Sequence, residues 1–128
     1  MSDMLFDTSV IVADLRKRID GFERAGNSTT VFICTPVLGE LWHGVLKATN
    51  AAAEQIKLDA LLAQVAVLHP DEATAKRYGS ITAALERQGR MIPANDIWIA
   101  AIALECGLPV ATRDPHFQCV DGLQVLLW

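Results

Sequence analysis

The stretch "IPANDIWIAAIAL", residues 92–104, decides the fold. From Asn95 to its end at Gly107 it reads as a helix that is apolar on every side. A helix of that kind belongs in the interior. Asp96 nevertheless stands in its first turn, and a buried carboxylate is costly unless something pairs with it. Two other apolar stretches pose the same problem. "MLFDTSVIV" places Asp7 at the end of a short apolar run, and "LPVATRDPHF" places Asp114 just past another.

Between these stretches, apolar runs alternate with helical patterns. "MLF" reads as a strand buried on both faces, because it lacks polar alternation. "TSVIVADLRKR" reads as a helix opened by the capping types Thr8 and Ser9, and "RAGNSTT" as a polar connection. "VFICT" is a second strand. Pro36 opens the helix "PVLGELWHGVLKATN", a position that tolerates proline, and "AAAEQIKLDALLAQV" follows as another helix. "VAVLH" is a third strand. A long helix then runs from Asp71 to Gly89, with Tyr78, Ile81 and Leu85 at helical spacing. "LPVAT" and "LQVLLW" are the fourth and fifth strands. Short two-sided strands alternating with helices predict a doubly wound, parallel three-layer α/β/α domain with about five strands, spanning residues 1–128. Sites in such folds form beyond the carboxyl ends of strands where strand order reverses, which is where Asp7 and Asp114 fall.

Each acid has a plain alternative. Asp7 could cap a helix, Asp96 could favour the positive end of a helix dipole, and Asp114 could be a turn residue ahead of Pro115. Together they point elsewhere. Two ionised carboxylates about 5 Å apart at an effective dielectric near 20 repel by about 3 kcal/mol. Such a cluster protonates or holds a cation, and oxygen ligands suit Mg²⁺ or Mn²⁺. His43, His69 and His116 are scattered without zinc-ligand spacing. Glu40 falls off the stripe of Val37, Leu38, Leu41, Trp42 and Val45. Periodicity therefore makes it a solvated residue, although Gly44 one turn later leaves room for a close approach.

Composition narrows the classes. The chain has 128 residues, 52% of them hydrophobic and 20% charged, which is too apolar for disorder. The net charge of -4 argues against a protein held to nucleic acid by a general basic coat. It leaves room for a nucleic acid held locally at a metal site. Three cysteines with no CxxC spacing predict small buried thiols in a reducing, cytoplasmic setting. No secretory leader is read, and no apolar run approaches the ~20 residues of a membrane span.

Four stretches in order resemble the acidic motifs of the PIN-domain family, most closely VapC-type toxins of bacterial toxin–antitoxin pairs. They are "LFDTSVIV" for Asp7, "TPVLGELWHGV" for Glu40, "IPANDIWIAAIAL" for Asp96 and "PVATRDPHF" with the tail "GLQVLLW" for Asp114. Thr112 matches a hydroxyl position of that family and Asn95 sits beside the third acid. The resemblance implies an Mg²⁺-dependent endoribonuclease, an RNA substrate, a homodimer and a small cognate antitoxin. It makes Asp7, Asp96, Asp114 and Glu40 metal ligands, with Thr112 and Ser9 orienting water or ligands by hydrogen bonding.

Around the motifs, Arg113, Arg87 and Arg90 are candidates to touch RNA. "RKR" at 16–18 reads as a solvated helix face, with RNA or antitoxin contact as the alternative. Trp42, Trp98 and Trp128 read as core or interface residues. Haloacid-dehalogenase-type phosphatases want a second Asp where Ser9 stands. Receiver domains want an acidic pair at the first strand and an acceptor where His69 and Pro70 stand. A non-enzymatic PIN-like binder, whose acidic pocket holds a structural cation or a partner's arginine, and a housekeeping PIN nuclease are the remaining alternatives.

Overall fold

The computed structural model describes residues 3–27 and 29–128. Five parallel strands form one sheet: β1 (Met4–Phe6), β2 (Val31–Cys34), β3 (Ala66–Leu68), β4 (Val110–Thr112) and β5 (Val125–Leu127). Their order is β3-β2-β1-β4-β5. The chain therefore winds outward from β1 to β3, then crosses back and winds the other way. Strand order reverses between β1 and β4, which pair with Leu5 opposite Val110 and Phe6 opposite Ala111. Right-handed crossovers running in opposite directions place their helices on opposite faces of the sheet.

The helices are α1 (Thr8–Leu15), α2 (Gly21–Ala25), α3 (Thr35–Lys47), α4 (Ala51–Leu62), α5 (Glu72–Gln88) and α6 (Ala94–Cys106), with a 3-10 turn at Pro115–Cys119. The expected apolar helix is α6, and it is buried as its composition demands. Ile97 and the run Ile99–Ala103 are inaccessible to solvent or nearly so, and α6 packs chiefly against α5. Gly107, in the left-handed conformation, ends it. Burying each such Ile is worth roughly 1.5–3 kcal/mol.

Several boundaries differ from the expectations. The second strand stops at Cys34, and Thr35 already begins α3. Helix α2 and the 3-10 turn were not expected, since five residues carry too little periodicity to register. The two-sided burial expected of every strand holds for β1 and β4. It fails for β3 and β5 because they are sheet edges, and Leu127 is 51% exposed. Of the three cysteines only Cys34 is buried; Cys106 is exposed, against the expectation. Burial pushes the Cys34 thiol up to about 12, with the negative charges of Asp7 and Glu40 adding to it.

Helix α1 is shorter than expected because it ends in a left-handed turn at Lys17 (φ 57°). Lys17 N–H donates to Asp14 O (2.9 Å) and Arg18 N–H to Ala13 O (2.8 Å), the pairing that usually carries glycine at the left-handed position. A side chain there costs roughly 1–2 kcal/mol, against roughly 0.5–1 kcal/mol of extra unfolded-state freedom for glycine. Lys17→Gly should therefore stabilise the protein by about 0.5–1 kcal/mol, read as a higher urea midpoint at unchanged slope. A lower midpoint would refute the strain.

Candidate metal centre

Asp7 immediately follows β1 and occupies the N-cap position of α1, yet its side chain makes no cap bond. It turns instead toward β4. Its Oδ2 accepts from Ser9 Oγ (2.8 Å) and from Thr112 Oγ1 (2.8 Å). Each hydroxyl is itself placed by a backbone amide: Arg113 N–H donates to Ser9 Oγ and Asp114 N–H to Thr112 Oγ1, both at 2.9 Å. Because both hydroxyls spend their protons on Asp7, the 3.3 Å approach of Ser9 Oγ to Thr112 Oγ1 is a contact and not a further bond. The network saturates one oxygen of a carboxylate that is only 4% exposed. Among the described residues nothing donates to the other oxygen, Oδ1.

Asp114 and Asp96 complete the corner from opposite directions. Asp114 follows β4 and caps the 3-10 turn, its Oδ1 accepting from His116 N–H at 2.9 Å. Asp96 comes from the first turn of α6. His116 Nδ1 lies 3.1 Å from Asp114 Oδ1 and 3.5 Å from Asp96 Oδ2. Asp96, Asp114 and His116 each offer a ligand atom within 4.8 Å of the others. Asp7 and Glu40 stand outside that trio. Glu40 reaches the corner along its rim, where Thr8 Oγ1 donates to its Oε1 at 3.1 Å.

The electrostatics are those of a site short of positive charge. Asp96 is pushed up to about 6, first by desolvation and then by the charge of Asp7, with smaller contributions from Asp114 and Glu40; the bond to His116 opposes them. Asp96 and Asp114 within ligand distance of each other, an Oδ1 on Asp7 without a donor and the nearby His116 ring nitrogen fit a hard divalent cation. The residues present therefore suit such an ion.

The expected acids are thus brought together: Asp7, Asp96 and Asp114 share one corner, with Thr112 behind them and Glu40 at its edge. Periodicity placed Glu40 in solvent, and it is exposed, but on the side that faces Thr8. His116 joins the corner although the histidines show no zinc-ligand spacing along the chain, because the 3-10 turn carries its Nδ1 to within 3.1 Å of Asp114 Oδ1. Asn95, Arg113, Arg87 and Arg90 are exposed, and of these only Arg113 touches the corner, through its backbone N–H to Ser9 Oγ. Trp42 and Trp128 are partly buried against the core, and Trp98 stacks on Tyr78 with ring centroids 4.4 Å apart.

Thr112 is wholly buried, so Thr112→Val keeps the shape but removes a donor to Asp7 and the acceptor for Asp114 N–H. Leaving those groups unpaired should cost about 1–3 kcal/mol. Cation affinity should fall roughly 10–100-fold, because Asp7 loses its orientation. Thermal melts with and without Mg²⁺ separate the two effects; an unchanged Mg²⁺ response would exclude the orienting role.

A doubly wound parallel sheet with acids gathered where its strand order reverses defines a class, and comparison with known families agrees. The PIN domain model matches residues 4–123, and the chain belongs to the PIN domain family. Within that family its relatives are VapC proteins. Ribonuclease VapC4 of Mycobacterium tuberculosis is 32% identical over 124 residues, covering 95% of this chain and 94% of its own. Among solved structures, VapBC2 from Rickettsia felis bound to a promoter DNA fragment superposes with a TM-score of 0.91 at 26% identity, covering 98% of both chains. VapBC-1 from nontypeable Haemophilus influenzae gives 0.89 at 27% identity with the same coverage.

Proposed function

We propose that this chain is an Mg²⁺-dependent endoribonuclease and the toxin of a toxin–antitoxin pair. The observation that supports the reading is the grouping of Asp96, Asp114 and His116 within ligand distance, with the Asp7 charge acting on Asp96, at the switch between β1 and β4. The names of its relatives, which are ribonucleases, and of its structural neighbours, which are VapBC complexes, support it.

In this reading Asp7, Asp96 and Asp114 hold the cation, with Glu40 joining directly or through water. The cation would supply Lewis-acid activation of water and charge neutralisation at the phosphate. The chain's own work is positioning. Ser9 and Thr112 hold Asp7 through Oδ2 and leave its Oδ1 without a donor, and the Asp114 cap fixes the turn that carries His116. Desolvation strengthens every charge interaction there. Mn²⁺ meets the same oxygen ligands. A small antitoxin would restrain the activity, and a second copy would complete a homodimer. Exposed Leu46 and Ile56, 75% and 71% accessible, offer apolar surface to such partners. No helix among the described residues is long and apolar enough to cross a membrane.

The test is total bacterial RNA incubated with the purified protein in Mg²⁺ and in EDTA. Discrete cuts in Mg²⁺ alone support the reading, and mapping the ends identifies the target. Intact RNA at high protein concentration would return the chain to the non-enzymatic alternative.

A further inference from the structure

The acidic corner has two unlike flanks. On one, Glu40 reaches the rim from α3, the helix that follows β2. On the other, beyond β4 and β5, stand two arginines and a tryptophan. Arg113 is the first residue past β4, and Trp128 the first past β5. These strands pair with Thr112 opposite Leu127, and Trp128 N–H donates to Thr112 O at 2.8 Å. Trp128 is thus tied to the residue whose hydroxyl orients Asp7.

Arg24 completes this second flank. It projects from α2, and its guanidinium carbon lies 5.6 Å from the centre of the Trp128 ring, within cation–π range. The Trp128 and Phe6 rings meet in a T with centroids 5.6 Å apart. Phe22, from the same helix as Arg24, packs on Phe6 at 5.5 Å. The fully buried Phe6 therefore anchors both Trp128 and the helix that carries the arginine. Arg24 and Arg113 are exposed, and among the described residues neither forms an ion pair.

We infer that Arg24 and Arg113 bind the phosphates beside the scissile one, so that the RNA strand leaves the acidic corner across the ends of β4 and β5. The inference rests on the ribonuclease reading above. Charge selects the occupant and the side. The acids of the corner repel every phosphate that a bound cation does not neutralise, so the flanking phosphates need cations of the chain's own. Glu40 opposes them on one flank. Two guanidiniums without counter-charges attract them on the other, on a protein of net charge -4. The planar fork of guanidinium also matches two oxygens of one phosphate. Trp128 holds Arg24 before RNA arrives, which lowers the cost of ordering it. Spacing agrees. Asp7 and Trp128 follow strands two places apart in the sheet, so their backbones stand about 10 Å apart, a step that a few nucleotides cover.

The variant Arg24→Gln/Arg113→Gln tests it, since both side chains are exposed and the fold should survive. Binding of a labelled single-stranded RNA of about 12 nucleotides is measured in EDTA against salt. The logarithmic salt slope should fall by about 1.4, at about 0.7 per cation removed. With Mg²⁺, KM on that RNA should rise about 10–30-fold at ~0.1 M salt, the effect of that slope difference over a decade of salt, while kcat changes little. Arg24→Lys/Arg113→Lys keeps both charges and should restore the slope. RNA extended on one side of the cut should feel the glutamines more than RNA extended on the other; equal sensitivity would overturn the direction. Unchanged salt slope and KM would overturn the role of both arginines. So would unchanged RNA affinity with weakened binding of a small protein partner, which would make this flank a protein contact. Absence of cleavage by the wild-type protein would instead fell the ribonuclease reading, while the binding measurement in EDTA still reads the two arginines.

Discussion

Asp96→Asn should cut RNA cleavage severely while making the metal-free protein more stable at neutral pH. The loss of activity follows from the corner's geometry. Asp96 shares its point of convergence with Asp114 and His116, and an amide supplies neither the charge nor the second anionic oxygen that a hard cation needs. A fall of about 10²–10³-fold in kcat, the size of removing one well-placed electrostatic group, is expected. The stability gain follows from the same charge. A carboxyl raised in the folded state binds its proton more tightly there than when unfolded, so stability falls as pH climbs from about 4 to about 6 and is flat above. At pH 7.5 the wild type carries that whole deficit, and below pH 4 none of it. Asparagine removes it, so the variant should gain on the order of 1–3 kcal/mol at pH 7.5 in EDTA and little at pH 4. Mg²⁺ should reverse the ranking by stabilising only the wild type. Melting curves at the two pH values, with and without Mg²⁺, read all of this; equal melting temperatures throughout would mean that no charge conflict exists.

Phe117→Ala should be the most destabilising single change near the site. Phe117 is completely buried, although it lies in a five-residue turn. Pro115 and the Asp114 cap shape that turn, and the ring pins it to the core. Truncation of a buried phenylalanine typically costs about 3–5 kcal/mol, a large part of the roughly 5–15 kcal/mol that holds a domain together. The same ring fixes Asp114 and His116 relative to Asp96, so Mg²⁺ should rescue the variant less than it does other variants of equal stability. Urea titration with and without Mg²⁺ checks both points. A loss under about 1 kcal/mol would show that the turn stands without its anchor.

The sequence made the acids legible because their positions are topological. Asp7 and Asp114 end apolar strands, and strand ends at an order reversal are where a doubly wound sheet opens. Asp96 was legible because an all-apolar helix makes a single charge conspicuous. His116 was not, because its approach to Asp96 is set by how the 3-10 turn packs on α6, and no spacing encodes that. Glu40 lay between these cases: helical periodicity correctly made it exposed, but only the placement of α1 brings Thr8 to it. Lys17 was hidden for a different reason. A left-handed helix end is normally announced by glycine, and the residue that stands there gives no such signal. "VAVLH" and "LQVLLW" looked fully interior because local hydrophobicity cannot distinguish a central strand from an edge.

The hydrogen bond from Thr112 to Asp7 joins residues 105 positions apart. A polypeptide emerging from a ribosome therefore carries its first acid long before the strand that orients it exists. Closing so wide a loop comes late, because chain entropy must be met before the contact repays it. An unfinished copy therefore lacks the oriented Asp7 carboxylate that the complete fold provides.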